Sequence, residues 1–132
     1  MKNVEKILPV AITAIEEKVL VNNQVPKEFN GYISSFGASI IMSGLLPTLV
    51  FFSQEGRSNG NRRSVIDSIE FILNQQNADL LTSRNKLLNT VKDNLGNQNT
   101  IDRLQNKIQE AGVALKLAIR IFPKAKEASN YE

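Results

Sequence analysis

Carboxylates are the acid–base groups this chain has in number, because it contains no His and no Cys. That absence excludes disulfides, zinc clusters, thiol nucleophiles, His-based acid–base pairs and His-ligated metals together. Glu16 and Glu17 are adjacent, so on a helix they point about 100 degrees apart and cannot converge on one ion or proton; they read as a solvated face. No Glu-x-x-His box is possible, and no Gly-rich run has the spacing of a phosphate cradle followed by Lys and Ser or Thr. The chain reads as a non-enzyme, with no catalytic residue, metal, cofactor or small-molecule substrate expected.

The basic residues stand out by where acids are missing. Val113 to Lys126 contains Lys116, Arg120, Lys124 and Lys126 and no Asp or Glu. The first three are spaced by four, which stacks them along one face of a helix. One reading is favourable pairing of cations with a helix C-terminus, about 0.3 to 1 kcal/mol each. The other is a ladder for phosphates, the sequence-independent part of nucleic-acid binding. Val113 shares that face, flanked by Leu117 and Ile121, so a neighbouring subunit is expected to cover part of it. Arg57, Arg62 and Arg63 form a second excess in a stretch rich in Asn and Gly. It reads either as a solvated connection or as a bidentate phosphate contact. The overall balance is mild, 16 Lys and Arg against 13 Asp and Glu for a net +3, so any polyanion contact must come from such local patches. Phe29, Tyr32, Phe36, Phe51, Phe52, Phe71 and Phe122 mostly fall at core positions. Tyr131 alone reads as free to stack, and base-specific readout has no candidate.

The elements that must position these residues follow from apolar spacing. The 132 residues suit one domain, 1–132, burying roughly two-thirds of the unfolded chain's surface. Val4, Leu8, Ala11, Ile12, Ile15 and Val19 make a helical stripe, with Asn3 as its N-cap and Pro9 beginning or kinking it. Asn22 to Pro26 is turn chemistry, and Pro26 suits the start of a second helix striped by Phe29, Tyr32, Ile33, Phe36 and Ile40. Gly31 and Gly37 within it suggest close approach of another backbone. Leu45 to Phe52 is apolar on nearly all faces and reads as a central helix, with a break at Gly44 and Pro47 in the first turn. Ser64 and Asp67 resemble a capping box opening a helix with Val65, Ile66, Ile69, Ile72 and Leu73. A fifth stripe, Leu80, Leu81, Leu87, Leu88, Val91 and Leu95, ends at Gly96 as a cap. The last, Ile101, Leu104, Ile108, Ala111, Leu115, Ala118 and Phe122, alternates steps of three and four up to Pro123. The expectation is an all-α, compact bundle of five or six helices with a central apolar helix. No strand pattern or internal repeat is present. The first apolar run is too short for a bilayer and unlike a signal peptide, so a soluble, cytoplasmic protein is expected.

The run Tyr32, Ser35, Gly37, Ile40, Ser43, Gly44, Leu45, Leu49, Phe51, Phe52 resembles the signature segment of the small helical subunit of type III-B (Cmr) CRISPR effector complexes. There, a Tyr-x-x-Ser helix leads through an Ile-x-x-x-Gly-Leu break to an apolar Leu-x-Phe helix. Glu110, Ala111, Ala114, Leu115, Leu117, Ala118, Arg120, Phe122 and Lys124 are similar to that family's closing helix. The likeness spans most of residues 30 to 125. It implies a non-enzymatic subunit that stacks with copies of itself against the crRNA-bearing backbone subunits, along the groove that receives target RNA. Cleavage in such complexes belongs to the backbone subunits. The expected partners are therefore the other Cmr subunits, further copies of this chain, crRNA and target RNA, with no membrane. The expected RNA-binding residues are Lys116, Arg120, Lys124, Arg57, Arg62 and Arg63. The alternative is a protein-only helical adaptor that uses the heptad-spaced last helix. An enzyme would need a carboxylate-only metal site that this spacing does not assemble.

Overall fold

The computed structural model describes residues 2–54, 62–76 and 86–125. Within them, apolar residues at steps of three and four produce six α-helices: α1 (Lys2–Lys18), α2 (Phe29–Ser43), α3 (Leu45–Ser53), α4 (Arg63–Gln76), α5 (Lys86–Asp93) and α6 (Gln98–Ala118). A 3-10 turn, Ile119–Ile121, follows α6. The all-helical bundle expected from periodicity is the observed architecture.

The centre is built by α1, α4 and α6. Ile7, Ala11, Ala14 and Ile15 of α1 are buried with Ile66, Ile69, Ile72 and Leu73 of α4 and Leu104, Ile108, Ala111 and Leu115 of α6. The closing seam is buried from Leu104 to Ala118, with Ile101 and Phe122 half-buried at its ends. The small side chains Ala11, Ala14, Ala111, Ala114 and Ala118, all buried, lie on α1 and α6, the most extensively packed pair. Small residues let two helix backbones approach closely. Asn3 lies inside α1, which already runs from Lys2, and instead of capping it donates from Nδ2 to Glu110 Oε2 on α6 at 3.2 Å. Pro9 does not begin the helix. It stands exposed at mid-helix and its carbonyl accepts from Thr13 Oγ1 at 3.3 Å.

Between α1 and α2, Asn22 and Asn23 have φ of 54° and 64°, and Val21 and Gln24 exchange N–H···O bonds of 2.9 and 3.0 Å. Positive φ at both central residues marks a type I′ turn, which Asn tolerates. The next residue, buried Val25, donates to Pro123 O and accepts from Ala125 N, both at 2.8 Å. This single parallel bridge ties the segment after α6 to the start of α2. The α2 helix itself begins at Phe29, three residues beyond the Pro26 start the sequence suggests.

Gly44 separates α2 from α3 with φ of 98°, a conformation L side chains rarely adopt. Pro47 is the third residue of α3, in the turn where a missing N–H is tolerated. The corner is fixed by Thr48, whose buried Oγ1 donates to Gly44 O at 2.8 Å and lies 2.6 Å from Ser39 Oγ. Leu45, Thr48, Leu49 and Phe52 of α3 are buried, but Val50 and Phe51 are 48% and 47% exposed. The expectation that α3 is enclosed on nearly all faces is therefore corrected: it packs against α2, α4 and α5 and leaves one side open. Gly31 and Gly37 are corrected as well. A Cβ built at either meets nothing within 4 Å, so no backbone presses on them.

The remaining boundaries are set by side chains. The α4 helix starts at Arg63, and Asp67 stands 3.6 Å from the Arg63 Nε. Glu70 Oε2 accepts from Leu87 N at 3.0 Å, so α4 caps the start of α5. Gly96 is not in a left-handed conformation, and α5 ends in an Asn94–Gly96 turn where Asn94 Nδ2 donates to Thr90 O at 2.8 Å. Asn97 caps α6 by accepting from Thr100 N at 3.2 Å. Leu80 and Leu81 lie outside the described residues.

Candidate nucleic-acid interface

Lys116, Arg120 and Lys124 meet on one surface, although not as a helical stack. The α6 helix stops at Ala118, Arg120 lies in the 3-10 turn, and Lys124 sits beyond Pro123 in the segment held by the Val25 bridge. Folding nonetheless brings the three around a depression of about 300 Å³ that Ile119 and Asn30 of α2 also line. Asn30 is a residue the sequence pattern did not single out. It falls on the polar side of a helix recognisable only by its apolar stripe.

The three cations differ in how occupied they are. Lys116 Nζ donates to Ser34 Oγ on α2 and is half-buried. Lys124 Nζ is 3.5 Å from Ile119 O, a long contact to a carbonyl at the end of the helical run. Arg120 is exposed and makes no hydrogen bond or ion pair among the described residues. An exposed guanidinium and a loosely held ammonium around one concavity, with the Nδ2 of an Asn amide beside them, offer N–H donors to an anion with oxygens on several sides. Lys124 sits by the carbonyl end of the helical run, as the C-terminus reading has it, and the Arg120 side chain is exposed.

The second basic group is engaged inside the protein. Arg62 lies with its guanidinium carbon 4.7 Å from the Phe51 ring centroid and 5.6 Å from that of Tyr32. Arg63 donates to Ser53 O at 3.0 Å besides pairing with Asp67. Both therefore staple the end of α3 to the start of α4. Phe51, read from sequence as core, is instead the half-exposed platform for Arg62. Arg57, Lys126 and Tyr131 lie outside the described residues.

Acid–base chemistry has little to work with. Among the described residues no group of three Asp, Glu, His or Cys could hold a metal ion, and Glu16 and Glu17 are both exposed. The ionisation of the Asp67 carboxyl is perturbed. Burial pushes it above its ordinary value, against the pull of Arg63 and then Lys18. It stands on α4 beside Arg63 and does not line the cationic depression. No described helix is long and apolar enough to cross a membrane.

A family model described as CRISPR-associated protein (Cas_Cmr5) matches residues 5–117. That span covers nearly all of α1 to α6, including Arg62, Arg63 and Lys116, and stops before Arg120 and Lys124. No curated protein and no solved structure matches the chain.

Proposed function

The chain belongs to the Cas_Cmr5 family of CRISPR-associated proteins, and from that premise we propose that it is a non-catalytic structural subunit of a type III-B Cmr ribonucleoprotein effector. It acts in antiviral defence in the cytoplasm. In this reading it stacks along the backbone of the assembly with copies of itself and contacts the phosphates of crRNA or target RNA.

The RNA part rests on one observation: Arg120, Lys124 and Lys116 converge with Asn30 on a concave surface, in a stretch without a single acid from Val113 to Lys126. Two cations there have little or no intramolecular competition. A sugar–phosphate chain carries one negative charge per nucleotide and asks only for donors, which is what this surface supplies. Arg62 and Arg63 are demoted in this reading, because their guanidinium groups are already committed to aromatic rings, a carbonyl and a carboxylate.

Salt titration of single-stranded RNA binding by the full chain tests it. If Arg120 and Lys124 neutralise about two phosphates, log affinity should fall with log salt at a slope of about −1.4. Substituting Arg120 and Lys124 together by Ala should flatten that slope, while substituting Arg62 should not. Binding that is absent at low salt, or unchanged in the double variant, would instead favour a helical adaptor that recognises protein alone.

A further inference from the structure

We propose that the groove between α2 and α6 docks an amphipathic helix of another protein, its apolar face in the groove and its acidic end at Lys116. The inference deepens the assembly half of the proposed function and rests on it, since it takes the partner to be another subunit of the same effector.

The groove has a volume of about 260 Å³ and is walled by Ile33, Ile41, Ile108 and Val113. Gly37 on α2 and Gly112 on α6 also line it, and a Cβ at either would meet nothing within 4 Å, so the space exists because both helices omit a side chain there. At the end away from Lys116, Ile41 and Met42 are 78% and 84% exposed. Exposed large apolar residues that are contiguous with a groove mark an interaction surface. Such walls offer a sugar–phosphate chain nothing, so the occupant is protein. Ile108 to Lys116 spans about 12 Å of α6, or two turns of a docked helix, which is the scale of helix-in-groove recognition through anchors at i, i+3, i+4 and i+7.

Charge complementarity gives the partner its sign and direction. Phe29–Ser43 of α2 contains no charged residue, and Ala111–Ala125 contains Lys116, Arg120 and Lys124 with no acid. Lys116 is the charged residue lining the groove, and Ser34 Oγ holds its ammonium at the mouth. A carboxylate arriving there neutralises Lys116, the cation least open to RNA, and leaves Arg120 and Lys124 to the phosphates. A second copy of this chain is a poor occupant. Its α1 has Glu5 at one end and Glu16, Glu17 and Lys18 at the other and buries Val4, Ile7, Ala11 and Ile15 in its own core, and α5, which ends in Asp93, buries Leu87 and Val91.

The probe is a synthetic helical peptide with Leu at every third and fourth position and Glu at one end, set against a twin carrying Lys in place of Glu. Fluorescence anisotropy with the full chain should show the Glu peptide binding and the Lys twin binding roughly tenfold weaker, and Lys116→Glu should reverse that preference. Gly112→Leu and Gly37→Leu fill the groove from helix positions that gain propensity. Each should melt no lower than the parent, lose the peptide and keep its salt-dependent RNA binding. Equal affinity for the twins, or full peptide binding by both Leu variants, overturns the proposal. So does a self-associated chain in sedimentation that Gly112→Leu returns to monomer, because the groove then belongs to a second copy. Loss of RNA binding in the parent chain is a separate result, and it strikes the phosphate reading alone.

Discussion

Two arginines near the surface show how differently one side chain can be used. Arg62 lies over the rings of Phe51 and Tyr32, an arrangement worth about 0.5 to 1 kcal/mol at a partly exposed site, whereas Arg120 has no partner among the described residues. Arg62→Ala should therefore lower stability by about 1 kcal/mol, and Arg120→Ala should stay within about 0.5 kcal/mol; thermal melts of both compare them directly. Equal losses would mean that the stack contributes nothing. Thr90 is the converse case, a buried hydroxyl with no hydrogen-bond partner. Thr90→Val keeps the shape and removes the unmet donor, so it should stabilise by about 1 kcal/mol, read as a higher denaturant midpoint at unchanged m. Asp67 adds a pH dependence. Burial raises its folded pKa above the unfolded value, so the folded protein holds the proton more tightly. The contribution of this carboxyl to stability is then largest at acidic pH and falls as pH rises through the window between the two values. Asp67→Asn should flatten that part of the stability–pH curve, and a curve unchanged in the variant would assign the slope to other carboxyls.

At the scale of elements, stripes were readable and their surroundings were not. The seam Leu104, Ile108, Ala111, Leu115, Ala118 is buried as its spacing implies, and the Gly44 break with Pro47 behind it falls where backbone chemistry demands. Periodicity says which face of a helix is apolar, not whether a neighbour lies there. That is why Val50, Phe51, Ile41 and Val113 are exposed although their residue types suggest a core. Spacing by four similarly assumes a continuing helix. Lys124 reaches the cationic depression because Val25 pairs with the segment after Pro123, a long-range contact that no local pattern encodes. Asn97 was legible in principle, as an Asn three residues before Thr100 at the head of a long stripe. Asn97→Ala should cost about 1 kcal/mol. Leu49→Ala, at a site that is 0% exposed, should cost about 2 to 5 kcal/mol through lost transfer energy and the residual cavity. If the two losses in chemical denaturation come out alike, α3 is less firmly packed than its burial indicates.

At the scale of the whole molecule, Lys116, Arg120 and Lys124 gather with Asn30 around α2 and the end of α6, and among the described residues no group of three Asp, Glu, His or Cys could hold a metal ion. In the proposed function the chain acts by extending a surface. Catalysis of phosphodiester cleavage near neutral pH needs a base matched to the 2′-hydroxyl or water, or a metal held by several ligands, and the chain has neither His nor Cys nor a metal-binding cluster among the described residues. The purified protein should consequently leave RNA and DNA intact with or without divalent ions. Its effect should appear when a type III-B effector is reconstituted with and without it. On the proposed function, omission should weaken engagement of target RNA, because the phosphate contacts proposed for Arg120 and Lys124 would be missing, and the weakening should be greatest at low salt, where such contacts count most. On the same proposal the positions of cleavage should not move, because the reacting groups would belong to other subunits. Metal-dependent cleavage by the homogeneous chain, abolished by replacing one of its own Asp or Glu residues, would overturn the structural role. A shift in cleavage positions on omission would show that the subunit sets the register as well as the grip.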